Sequence, residues 1–287
     1  MNTTTKPLIK YGWLRAFLFL ISWIFFSYLF DLASTIVVKK IWGNTPVETG
    51  ENIETLIKFL FAAIGSSLVV WLWRKLIDRK DFKSLGFTWN GFENDGWIGF
   101  FLGPLLLGIG SIALVLMTFL QFQQINADPE QLLTGIIIMM LVAYAEELIV
   151  RGYLLNNLMQ SFNKWIALAI TSGFFAIMHL SNPAFTMLSF VNILLAGLLL
   201  GVNYIFTKNL WFGMLLHFSW NLFQGPVFGF EVSGIKFSGI FQQSIAGPGL
   251  WTGGAFGFEG SLLCALLCAI AFVICSLFFN KKYKIES

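Results

Sequence analysis

The sequence predicts an all-α fold, a polytopic membrane protein of about eight transmembrane helices, on three observations. The chain of 287 residues is 57% hydrophobic and only 11% charged, whereas a soluble domain carries about 25% charged residues. There is therefore too little polar surface to face water all round. Eight apolar segments reach or approach the roughly 20 residues that cross a bilayer. Lys and Arg concentrate in alternate connections, as the positive-inside rule requires.

The first segment, near Trp13–Val38, is too long for the apolar core of a signal peptide and has no evident cleavage site after it, so it is expected to be retained as a span. The others lie near Ile53–Trp73, Trp97–Leu120, Leu132–Met159, Trp165–Leu180, Met187–Phe206, Leu210–Phe223 and Ser261–Phe279. The fifth and seventh are short for a span. No internal repeat divides the chain, and residues 1–287 read as a single transmembrane domain. With eight spans, Lys6, Lys10 and Arg15, then Arg74, Lys75, Arg79, Lys80 and Lys83, then Lys281, Lys282 and Lys284 fall on one side. That side is the cytoplasm, and it holds both termini. Lys39 and Lys40 dissent mildly; they can snorkel at a helix end. The net charge of +3 and the absence of a basic tail argue against a nucleic-acid partner. Cys264, Cys268 and Cys275 share one face of the last helix and read as apolar packing residues. Residues 225–260 form a glycine-rich connection before that helix, long for a loop. It reads either as a flexible linker or as an ordered loop packed over a site between helices.

One stretch breaks the apolar pattern. In "YAEELIVRGY", residues 144–153, Glu146, Glu147 and Arg151 stand inside a spanning segment. Three charges at mid-span cost about 8–10 kcal/mol, against roughly 3–6 kcal/mol returned by the neighbouring Leu, Ile and Val. The charged face must meet other helices or a water-filled cavity. Glu147 and Arg151 are four apart, share a face and are expected to pair. Glu146 lies about 100° around the helix without a local partner. A lone carboxylate in low dielectric holds a proton more tightly than in water, which suits a general base. A packing and assembly network is the competing reading.

Both histidines, His179 in "FFAIMHL" and His217 in "MLLHFSWNLFQG", fall within apolar helices, and Asn221 follows His217 by one turn. A hydrogen-bonded packing role competes with catalysis for each. Phe175, four before His179, carries little weight in a chain with 32 phenylalanines. At 1.5 Å per residue, Glu146 lies about 18 Å from the cytoplasmic end of its helix, His179 about 22 Å, His217 about 12 Å and Asn221 about 18 Å. Three helices thus bring Glu, His, His and Asn to overlapping depths.

"EELIVR", "FAIMH" and "HFSWN" match the patterns E-E-x-x-x-R, F-x-x-x-H and H-x-x-x-N, in that order. The chain resembles the CPBP family, the CAAX-protease and bacteriocin-processing intramembrane peptidases, also called the Abi or type II CAAX prenyl endopeptidase group. The resemblance covers residues 134–224, and the C-terminal "TGGAFGFEG" resembles an ending that many bacterial members carry. It implies an eight-helix membrane fold and hydrolysis of a peptide bond within the membrane. By the same resemblance Glu146 and His179 activate water, and His217 and Asn221 stabilise the oxyanion; Glu147 and Arg151, paired one turn apart, are expected to support them. Water activation needs a base and the oxyanion a donor, which these residue types supply. No cofactor is favoured; zinc on Glu146, His179 and His217 is the alternative. The expected partners are a peptide or membrane-protein substrate and the lipid bilayer. Short loops without appended domains point to a bacterial plasma membrane. A transporter, or a non-catalytic scaffold or bacteriocin-immunity protein, remains the rival. Oligomeric state and substrate are not legible.

Overall fold

The computed structural model describes residues 6–43 and 53–284. It is an α-helical bundle with one short two-stranded ribbon. The helices are α1 (Gly12–Trp42), α2 (Ile53–Leu76), α3 (Glu93–Leu116), α4 (Pro129–Glu147), α5 (Lys164–Met178), α6 (Met187–Gly201), α7 (Trp211–Leu222) and α8 (Leu262–Lys284). Beyond Glu147, α4 continues through a π-wound stretch, Leu148–Leu155, and a last turn, Asn156–Leu158. A π-wound end, Phe223–Val227, likewise extends α7. Among the described residues six helices are long and apolar enough to cross a membrane. The 15-residue α5 is a shorter apolar helix, and α7 has 12 residues before its π-wound end. Large apolar side chains such as Phe17, Ile24, Phe25, Phe101, Ile112 and Leu277 are exposed. That surface suits lipid: the chain is an integral membrane protein.

Start and stop signals are visible where the chain leaves the bundle. Asp128 caps α4 by accepting from the backbone N–H groups of Glu130 and Gln131, with Pro129 in the first turn. Asn163 and Thr186 cap α5 and α6 in the same way. The π winding in α4 has no comparable sequence signal. Its i→i+5 bonding widens the helix, and all eight of its residues are buried.

Two departures from the sequence reading stand out. The connection between the apolar segments that end near Leu120 and begin near Leu132 contains strand β1 (Leu120–Ile125), which pairs antiparallel with β2 (Phe241–Ile245). Neither strand is a long apolar run, and the ribbon forms because residues 225–260 return to the α3–α4 connection. His179, expected inside its helix, instead caps the end of α5 with φ −93° and ψ 0°. "SNPAF" follows at once, and Asn182-Pro183 cannot continue the helix.

Glycines set the closest helix contact. A Cβ on Gly99 would lie 2.3 Å from the Phe212 carbonyl oxygen, and one on Gly103 would lie 2.4 Å from Ser219 Oγ. α3 therefore presses its bare backbone against α7. Polar clamps close the end of the bundle where the basic residues gather. Buried Asp78 accepts from Arg15 at 2.6 Å and Arg74 at 2.9 Å, and Arg15 reaches Gln160 beyond α4. Asp95 at the start of α3 accepts from Lys282 at 2.6 Å and Asn203 at 2.8 Å. The ends of α1, α2, α3, α4, α6 and α8 are thereby fixed together.

Candidate active site

The charged turn of α4 points into the bundle. Glu147 is fully buried and pairs with Arg151 at 2.7 Å, as their spacing predicts. Arg151 is equally enclosed. Its second Nη donates to the Gly197 carbonyl of α6 at 2.8 Å, and its guanidinium lies 4.8 Å from the centre of the Phe175 ring. A buried cation thus meets a carboxylate, a carbonyl and an aromatic face.

Glu147 has a second partner that spacing could not reveal. The same Oε1 lies 3.1 Å from Nδ1 of His217, 70 residues away on α7. An ionised carboxylate only accepts, so Nδ1 carries the proton and Nε2 faces the other way. Nε2 lies 3.8 Å from Oε2 of Glu146. Adjacent glutamates therefore serve the two edges of one imidazole. Glu146 Oε2 has no hydrogen-bond partner among the described residues.

His179 is fixed in a similar way. Its Nδ1 donates to the Phe175 carbonyl at 2.8 Å, leaving Nε2 unprotonated in the neutral ring. Phe175 is edge-on to both imidazoles, with centroid distances of 4.8 Å to His179 and 6.0 Å to His217. Among 32 phenylalanines, position alone did not single this one out. Its part is to seat Arg151 and separate the two histidines.

Glu146, His179, His217 and Asn221 all line one cavity of about 220 Å³. Asn221 is only 5% exposed, and it lines the cavity one turn beyond His217 on α7. The rest of the wall is mainly apolar, from Met139, Phe175, Leu199, Leu216 and Phe237. Residues 225–260 contribute Val232, Ser233 and Glu259 to it. Ser233 is tied to α5's end through its carbonyl, which accepts from Asn182 at 3.1 Å. Cys268 also lines the cavity, a position that its apolar helix did not disclose.

Among the described residues, no three His, Cys, Asp or Glu side chains stand together as a metal ion requires. Of the alternative zinc set, Glu146 and His217 alone come within ion-pair distance of each other.

A membrane bundle with a Glu, two His and an Asn around one internal cavity defines the class: an integral membrane protein with the donor and acceptor set of a hydrolase. Residues 128–223 match the family model described as Rce1-like: Type II CAAX prenyl endopeptidase Rce1-like. The match supports membership of the CAAX protease family, and the matched stretch contains Glu146, Glu147, Arg151, His179, His217 and Asn221. No curated protein matches the chain.

Proposed function

We propose that the chain is an intramembrane endopeptidase that hydrolyses a peptide bond of a peptide or membrane-associated protein. The observation that carries this reading is one cavity lined by Glu146, Asn221 and two histidines with fixed tautomers. In this reading water lies between Glu146 and Nε2 of His179. Glu146 takes its proton as the oxygen attacks the carbonyl carbon. The C=O pair moves onto oxygen, where the Asn221 N–H donates. Glu146 then returns the proton to the leaving nitrogen as the C–N bond breaks, giving an acid and an amine.

His217 needs more than its position to donate to that oxyanion. With Nδ1–H committed to Glu147, the neutral ring offers only a lone pair at Nε2. It donates from Nε2 only as imidazolium, a cation that Glu147 and Glu146 flank. Glu147, itself held by Arg151, is therefore a positioning residue for His217. Both termini lie in the cytoplasm in this reading, and the membrane is a bacterial plasma membrane.

The mechanism proceeds without a metal. Purified protein in detergent, given a peptide library and read by mass spectrometry, should cleave before and after EDTA or phenanthroline alike. Loss on chelation with recovery on adding zinc would make Glu146, His179 and His217 metal ligands instead. Cleavage of nothing, under any of these conditions, would favour a scaffold or immunity role.

A further inference from the structure

The cavity holds a second carboxylate that the proposed chemistry does not use. Glu259 comes from residues 225–260 and lines the same wall as Glu146. Its Oε1 accepts from the Trp220 indole N–H at 3.2 Å. Its Oε2 accepts from the Ser233 backbone N–H at 2.8 Å and from Ser233 Oγ at 2.7 Å. A carboxylate offers about four lone-pair sites, so these neutral donors hold it without filling it. No described Lys, Arg or His forms an ion pair with it, and no Lys or Arg lines the cavity. Lys236, in the same loop, is exposed and is not part of the wall.

The backbone around Glu259 is built to keep it there. Gly257 has φ +89°, and a Cβ on it would lie 1.9 Å from the Glu231 carbonyl oxygen. Asn192 of α6 donates to the Glu259 carbonyl at 2.7 Å and the Ser261 carbonyl at 2.8 Å, fixing the turn on both sides. Trp220 stands beside Asn221 and one turn beyond His217 on α7. Glu259 is thus anchored next to the reacting groups. Asn221, only 5% exposed, lines the same cavity.

A cavity with an apolar wall, two carboxylates and one imidazolium keeps a net negative charge and selects by charge. A cation loses less on leaving water when an anion receives it. We propose that Glu259 forms a binding subsite for a lysine or arginine side chain of the substrate, close to the bond that is cut. Trp220 adds aromatic surface for the cation beside the carboxylate. Glu259 and Glu146 line one cavity of about 220 Å³ and an extended peptide advances about 3.3 Å per residue, so the positions to test are those within about three residues of that bond. This inference rests on the endopeptidase reading.

The test uses internally quenched peptides identical except for Lys, Gln or Glu at each of those positions, with full-length protein in detergent. At one position wild type should prefer Lys over Glu by about tenfold or more in kcat/KM, which is ~1.4 kcal/mol per factor of ten. The difference should lie mainly in KM. In Glu259→Gln the ratio should fall to about twofold or less, since its charge term is gone. A merely structural latch would slow all peptides alike and leave the ratio unchanged, which would overturn the proposal. Equal rates for all three peptides with wild type would overturn it without recourse to any variant. If no peptide is cleaved, the endopeptidase reading fails, and the subsite is judged separately. Anisotropy of the labelled Lys and Glu peptides on Glu146→Gln protein should then still differ by about tenfold in Kd; equal binding would overturn the proposal.

Discussion

Arg151 shows what a single buried charge does here. It neutralises Glu147 at 2.7 Å, spans to the Gly197 carbonyl and seats Phe175. Arg151→Leu strands Glu147 as a fully buried anion, and breaking such a pair costs about 3–5 kcal/mol. Melting temperature and yield should drop together. Glu147→Gln with Arg151→Leu leaves neither charge orphaned and should recover much of that stability. A double variant no more stable than Arg151→Leu alone would contradict this account of the pair. Activity should not return with stability, because a neutral amide no longer offsets the His217 imidazolium. The Glu147–Arg151 contact was legible from a spacing of four. The Glu147–His217 contact was not, since 70 residues separate them and only the packing of α4 on α7 joins them. The four site residues were legible because polar groups in apolar helices are few. Glu259 was visible only as an acid in a glycine-rich stretch, with nothing local to say that it enters the cavity.

At the scale of elements, the placement of α7 decides the geometry, because α7 carries His217 and Asn221. α3 sets that placement through Gly99 and Gly103, where added side-chain atoms would meet the α7 backbone and Ser219. The first three helices offered no functional motif. Yet the small-residue spacing Gly96, Gly99, Gly103 is a signal of close helix approach. Gly103→Leu should push α7 away and destabilise the fold by about 1–3 kcal/mol, the usual cost of overpacking. Cleavage should fall further than stability alone explains, because His217 moves from Glu146. Unchanged melting and cleavage would show that α3 and α7 are not held by this contact. The bundle of apolar helices was readable from hydropathy alone, although six rather than eight of the described helices are long and apolar enough to cross a membrane. The π winding after Glu147 and the β1–β2 ribbon were not, because both arise from contacts between distant segments rather than from local propensity.

Across the whole molecule, the basic residues do two things. Their distribution leads us to propose a cytoplasmic side by the positive-inside rule, and some of them also close the bundle. Arg15 and Arg74 share Asp78, and Lys282 meets Asp95. The ribbon joins β1 to β2 at the α3–α4 connection, among segments poor in Lys and Arg. Reporter fusions at the C-terminus and within residues 225–260 should therefore read opposite sides of the membrane, with the C-terminus cytoplasmic. Same-side readings would contradict eight spans and the shared depth of the site residues. Composition made the membrane setting legible, and the matched family stretch holds Glu146, His179, His217 and Asn221 of the cavity wall. The substrate was not legible, because its determinants lie in the cavity wall that distant segments build together.

The central claim is that Glu146 moves the proton while Glu147 and Arg151 hold the machinery in place. Glu146→Gln keeps the shape of the side chain, and a neutral amide costs less to bury than an ion. The most direct test measures melting temperature and peptide cleavage on that one variant beside wild type. The account predicts near-wild-type melting with cleavage reduced at least about 100-fold, the lower range of a general base's contribution. A folded Glu146→Gln protein that cleaves peptides at close to the wild-type rate would contradict it.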